Sequence, residues 1–405
     1  MDGRSATHRM DTGAMHGMDS AVIDRRALDE LIRVLRGDGR RVVGPTVREN
    51  AIVLAELESG AELPDGWGVT CAPGEYRLRP RPDGAVFAHS AGPMSWKQFV
   101  HPPHRVLWRA SGGRFHAPEP EETRYAFLGV RGCDLAAIRT LDTVLGADPD
   151  GYTARLLRDL VVVAVDCTDP GGVCFCASMG TGPAAGSAGG GYDLALTELI
   201  DERGHRFLVE VATDTGLGLL ARIPHTVAPA GDVAEARAAV DEARGRMGRA
   251  MPDVDLRALL RAARDEPVWD DVADRCLTCG NCTMVCPTCF CTSAEDVSEL
   301  GGERAERHQR WASCFELDYS HLHGGSVRTS GASRYRQWMT HKLGTWFDQF
   351  GSSGCVGCGR CIDWCPVGID ITAEAARLTG ALSGVTDSPD TPDVPASRER
   401  PESGP

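Results

Sequence analysis

Ile23, Leu28, Leu31, Ile32 and Leu35 recur at helical spacing over residues 20–36, with Ser20 in a capping position, and this pattern predicts an amphipathic helix at the start of the folded chain. Over 41–120 the apolar runs are short and interrupted by Gly and Pro, which predicts short strands and turns without a long helix. The pattern sharpens at Arg124. YAFLGV is an apolar run of strand length, DLAAIRTLDTVL has helical period and LVVVAVD is a second buried strand, so together they predict a βαβ unit. The Gly- and Ala-rich stretch GTGPAAGSAGGG at 180–191 marks a flexible loop. Its GTGPAA matches only the loosest dinucleotide-binding spelling, lies outside a strand-to-helix junction and lacks the Lys-Ser/Thr ending of a P-loop. DLALTELI and HRFLVEVA follow, and then an Ala- and Arg-rich helical stretch over 232–263 leads into the last part of the chain.

Composition changes this picture in three places. Residues 1–19 and 381–405 are small, polar and rich in Gly, Asp, Ser or Pro, so both ends are expected to be disordered. A formal net charge of −14 argues against nucleic acid as a partner, because such binding rests on neutralising phosphates with Lys and Arg. No apolar run reaches the length of about 18 residues needed to cross a bilayer, and the N-terminus lacks the apolar middle of a signal peptide. The expected place is the cytoplasm, where 16 cysteines point to metal or redox chemistry and not to a disulfide framework.

The spacing of the cysteines identifies that chemistry. CLTCGNCTMVCP (Cys276, Cys279, Cys282, Cys286) and CVGCGRCIDWCP (Cys355, Cys358, Cys361, Cys365) both read C-x₂-C-x₂-C-x₃-C-P, the bacterial run for [4Fe–4S] clusters. Three cysteines on a tight loop wrap three corners of a cubane, and the fourth of each run ligates the other cluster. One cluster is therefore expected on Cys276, Cys279, Cys282 and Cys365, and the other on Cys355, Cys358, Cys361 and Cys286. Pro287 and Pro366 turn the chain away from the clusters, and Gly280 and Gly359 allow the loops to bend. Residues 287–354 separate the runs and include the helical-looking SRYRQWMTHKLGTWFDQF, which favours helices over a compact hairpin pair. The expected fold class is α+β. An α/β domain at 20–230 would be joined by a helical linker at 231–268 to an α-helical-type two-[4Fe–4S] ferredoxin domain at 269–380.

A third set of thiols follows from the βαβ unit. Cys133 and Cys167 each come directly after one of its two strands, so both belong at the same carboxyl edge of a parallel sheet. Cys174 and Cys176 lie on the loop DCTDPGGVCFC that can fold back over that edge. The four could hold a third [4Fe–4S] cluster or, second, a structural zinc; they read equally well as buried apolar thiols. Cys289, Cys291 and Cys314, near the first run in CPTCFC and WASCFELD, read first as packing thiols and second as thiols that line the clusters or ligate in an alternative state, and Cys71 has no assigned role. His321 and His323 lack a third metal ligand and read as surface residues. Arg334, Arg336, His341 and Lys342 form a basic cluster, read first as a solvated helix face and second as counter-charge for the clusters. No nucleophile elbow or catalytic triad is present, so no catalytic residue is assigned.

WKQFVHPP (96–103), GVRGCDLAAI (129–138), VDCTDPGGVCFC (165–176), CLTCGNCTMVCPTCFC (276–291) and CVGCGRCIDWCP together resemble the iron–sulfur β subunit of cytosolic [NiFe] sulfhydrogenases and the related A subunit of anaerobic sulfite reductase, over about residues 20–380. The resemblance implies a non-catalytic electron-transfer subunit. Its implied partners are a flavin subunit that exchanges hydride with NAD(P)H and, on the other side, the small and large [NiFe]-hydrogenase subunits or a siroheme protein. A stand-alone flavin-dependent reductase and an oxygen-sensing protein are the rival classes.

Overall fold

The structure, a computed structural model, describes residues 20–90, 92–118 and 123–383. The two chain ends expected to be disordered lie outside these residues, apart from 381–383, which complete the helix Ile371–Ser383. The main sheet has eight strands. In spatial order they are Thr226–Val227, Ser20–Asp24, Gly204–Val211, Leu194–Asp201, Val161–Val165, Tyr125–Arg131, Arg41–Arg48 and Ala51–Glu56. The four strands from Leu194–Asp201 to Arg41–Arg48 are parallel neighbours, and antiparallel strands flank them on both sides.

Within this sheet the βαβ unit forms as expected. Tyr125–Arg131 leads into the helix Gly132–Leu145, and the chain returns as Val161–Val165 in parallel register, with Phe127 opposite Val162. All five residues of Val161–Val165 are buried, because helices and loops cover both faces of a parallel sheet. Ala126 and Leu128 face one core with Leu28, Leu31 and Leu35, while Tyr125 and Phe127 face the other with Trp96.

The first expected helix differs in its start. Residues 20–24 form a strand between Thr226–Val227 and Gly204–Val211, Ile23 lying opposite Phe207, and the helix begins at Ala27. Ala21 and Ile23 are buried at a spacing of two, the signature of a strand, and the sheet partner that selects it is remote in sequence. The helical stretch expected over 232–263 is two helices, Ala230–Gly245 and Leu256–Ala262.

The long segment between the cysteine runs supplies helices and also a hairpin. Gly331–Thr340, a π-helical turn His341–Thr345 and Trp346–Phe350 form a continuous helical rod. Ahead of it, Thr292–Ser298 pairs with Arg304–Trp311, which pairs in turn with His104–Ser111 from the N-terminal half. This small sheet also carries Arg114–His116 and straddles the two halves of the chain.

Candidate iron–sulfur sites

The first cysteine set surrounds one cavity. Cys276, Cys279, Cys282 and Cys365 line a 30 Å³ space walled by Phe315, Tyr335 and Trp338. Cys276 caps the helix Val268–Arg275, and Cys282 lies on the short helix Asn281–Met284, which begins at Gly280 in the left-handed region (φ +74°). Cys279 is exposed, as is Leu277 beside it. The aromatic wall dries one side of the cavity, and the other side reaches the surface.

Cys355, Cys358, Cys361 and Cys286 form the second set. Burial first, and then neighbouring thiols, Cys133 of the third set foremost among them for Cys358, raise Cys355, Cys358 and Cys361, the first two to about 12. Ligation by the thiolate would therefore release protons as metal binds. Cys286 is the exception. A hydrogen bond from Cys289 holds it well below its ordinary value against the effect of burial, with help from Lys342 and Thr288. Cys361 also lines the first cavity, so the first two sets share a wall.

The third set converges too. Cys133, Cys167, Cys174 and Cys176 line a single 20 Å³ cavity together with Arg131, Met247 and Cys358. Arg131 Nη1 donates to Cys167 Sγ at 2.7 Å, and its Nη2 donates to the Phe87 carbonyl at 3.0 Å. A bulge aims that side chain. The register with Val161–Val165 shifts between Leu128 and Val130, so Val130 falls on the Phe127 face and the parity of the strand reverses before Arg131. Gly129 makes the bulge at φ +88°, where a Cβ would press on Pro45 at 3.1 Å and Phe87 at 3.2 Å.

The Gly- and Ala-rich stretch at 180–191, expected to be a flexible loop, is docked beside the third set. Cys167 N donates to the Pro183 carbonyl at 3.1 Å, Ala185 N donates to Asp166 Oδ1 at 2.7 Å, and Thr181 Oγ1 donates to the Val356 carbonyl at 2.6 Å. Ala185 and Ala188 are buried. Small residues let this backbone lie directly on the site, and that close approach explains the composition.

The second and third sets are in contact. Cys358 lines the third cavity, and Phe175 N donates to the Gly357 carbonyl at 2.9 Å. A Cβ at Gly357, which has φ +67°, would stand 2.6 Å from Cys176 Cα. Among the described residues no three Cys, His, Asp or Glu side chains stand close enough to hold a single metal ion. The thiols of the first set and those of the third each ring a small void.

The remaining singled-out residues separate. Cys71 is buried against Ser90 at 3.1 Å and lines none of the cysteine cavities above. His321 and His323 are exposed. The basic cluster is not a solvated face throughout, because Lys342 is buried and its Nζ donates to Thr288 Oγ1 at 2.9 Å and to the Gly354 carbonyl at 3.0 Å. The π-helical turn presents it inward. Lys97, which the sequence reading did not single out, is also buried, and its Nζ donates to the Met284 carbonyl at 3.1 Å and stands 3.8 Å from the centre of the Trp311 ring.

An α/β sheet edge joined to a doubled cysteine-run domain defines an iron–sulfur electron-transfer protein. Residues 275–369 match the family model of a 4Fe-4S dicluster domain. The chain is 30% identical over 296 residues to the sulfhydrogenase 2 subunit beta of Pyrococcus furiosus, a match covering 68% of this chain and 82% of that relative. It belongs to the sulfhydrogenase β-subunit family. No solved structure matches it. Among the described residues no helix is long and apolar enough to cross a membrane.

Proposed function

We propose that the chain is the electron relay of a cytoplasmic hydrogenase complex, passing single electrons between a flavin subunit that uses NAD(P)H and the small and large subunits of a [NiFe] module. The observation that carries this reading is the unbroken contact among the three cysteine sets. Cys279 reaches the surface, Cys361 borders both the first and second sets, and Cys358 borders both the second and third. The third set is taken as the ligands of a third [4Fe–4S] cluster, beside the two on Cys276, Cys279, Cys282, Cys365 and on Cys355, Cys358, Cys361, Cys286. When bound, fully thiolate-ligated clusters accept and release one electron at a time and offer no open iron for substrate.

The chain's own residues insulate and tune this path. Phe315, Tyr335 and Trp338 keep water from one side of the first set, and Arg131 offers Cys167 a charged donor. Exposed Leu277 and Val367, both lining the first cavity, give the surface end an apolar patch where a partner's redox group can approach. Affinity purification of the tagged chain from its host without oxygen tests the reading. Recovery of a flavin subunit with a nickel-containing subunit supports it. A siroheme subunit moves the chain to sulfite reduction, and recovery of the chain alone with bound flavin overturns the relay.

A further inference from the structure

Lysine is rare in this chain, and both lysines meet one group of cysteines. Of 43 Lys and Arg residues only Lys97 and Lys342 are lysine, and they are 2% and 3% exposed. Lys97 comes from the one-turn helix Lys97–Val100 in the N-terminal half, and Lys342 comes from the π-helical turn of the C-terminal half. Their hydrogen-bond partners are backbone carbonyls and the Thr288 hydroxyl, and among the described residues no carboxylate pairs with either. A buried ammonium without a counter-charge is costly and calls for negative charge nearby; burial lowers Lys97, whereas at Lys342 the facing sulfurs outweigh burial. The groups facing both are sulfurs. Cys286 and Cys289 face the two lysines together, Cys291 faces Lys97, and Cys355 faces Lys342.

Cys286 and Cys355 belong to the second set, whereas Cys289 and Cys291 belong to none of the three. The hairpin brings them to Cys314. Thr292 pairs with Trp311, and Ala312 N donates to the Cys291 carbonyl at 2.9 Å, so residues before and after the hairpin meet at its base. There Cys289, Cys291 and Cys314 line a 170 Å³ cavity with Arg328, His341 and Lys342. This cavity is larger than the space within the first or third set. Three soft sulfur donors, the cations of Arg328 and Lys342 and no carboxylate suit an anionic iron–sulfur core and not a hard cation; the rest of the wall is mostly aromatic, and burial lowers the His341 imidazole.

We propose that Cys289, Cys291 and Cys314 hold a further iron–sulfur cubane through three of its irons, with the fourth iron facing the cavity and Lys97 and Lys342 as counter-charges. The inference stands on the cavity and the lysines, independent of which partners the relay serves. A one-electron oxidant such as ferricyanide takes one electron from a [4Fe–4S]2+ cubane whose fourth corner lacks a thiolate, and the cubane releases that iron as Fe2+ and leaves a [3Fe–4S]+ cluster.

The test is iron and acid-labile sulfide per full chain, purified without oxygen, in the wild type and in Cys291→Ser/Cys314→Ser. The double variant should lose about four irons relative to wild type. Mild oxidation should give the near-isotropic electron paramagnetic resonance signal of a three-iron cluster in the wild type alone. Equal iron in the two proteins overturns the proposal, as does a wild type that yields no three-iron signal. Should the double variant fail to fold, Cys314→Ala is measured the same way, and full iron retention there is equally fatal. Failure of this site leaves the iron lost on Cys133→Ser/Cys176→Ser untouched, so it is told apart from failure of the third set.

Discussion

Arg360 and Asp134 form an ion pair at 2.9 Å with side chains only 2% and 5% exposed. Arg360 lies between Cys358 and Cys361, Asp134 directly follows Cys133, and Arg360 Nε also donates to the Gly92 carbonyl at 3.1 Å. The pair therefore fastens the second cysteine set to the sheet edge that carries the third. Removing one partner of a buried pair strands the other charge, at a cost of roughly 3–5 kcal/mol. Asp134→Ala should lower stability by that amount in anaerobic denaturant unfolding. A change below about 1 kcal/mol, the range of exposed pairs, would show that the junction does not depend on this contact.

The third set predicts a specific iron count. Cys133→Ser/Cys176→Ser should lose about four irons per chain, leaving the two clusters of the doubled runs in place. Iron analysis alongside circular dichroism checks this, and unchanged iron with unchanged fold would reduce the four thiols to packing.

Arg131 should tune the third set more than it builds it. Its guanidinium donates to Cys167 Sγ, and hydrogen bonds to ligand sulfur stabilise the reduced, more negative state. Arg131→Met should therefore lower the potential of one cluster and leave iron content near wild type, as read by a potentiometric titration. Gly129→Val should act on the same contact through the backbone. A β-branched residue at φ +88° is strained by on the order of 1–3 kcal/mol, and loss of the bulge would turn Arg131 to the other face.

Lys342 gives a third electrostatic prediction. Burial alone would lower its pKa, yet the facing thiols of Cys286, Cys289 and Cys355 outweigh that and hold the amine well above its ordinary value. Removing this positive charge favours the oxidised state of the nearest cluster. Lys342→Met should shift that potential downward by roughly 50–150 mV, taking an effective dielectric of about 20. An upward shift would contradict the placement of the charge beside the sulfurs.

Much of this site was legible because its signals are local. The two runs carry their ligand spacing in a dozen residues each, and the placement of Cys133 and Cys167 follows from strand-helix-strand order, since a parallel βαβ unit puts both at one edge. Other features depended on distant partners. Residues 20–24 became a strand because Gly204–Val211 lies beside them, and no window around Ser20 contains that information. The hairpin that unites Cys291 with Cys314 is TSAEDVS against RAERHQRW, too polar to show strand alternation, so Cys289, Cys291 and Cys314 read first as packing thiols. The scarcity of lysine was visible in the composition, whereas the burial of both lysines against one group of sulfurs is a property of the fold alone.

Electron paramagnetic resonance of the fully reduced chain tests the relay most directly. Contact between the second and third sets through Cys358 and Gly357 predicts a spectrum broadened by magnetic coupling between neighbouring clusters, which should simplify in Cys133→Ser/Cys176→Ser. A wild-type spectrum identical to that of the double variant would contradict a relay running from the surface at Cys279 to the sheet edge.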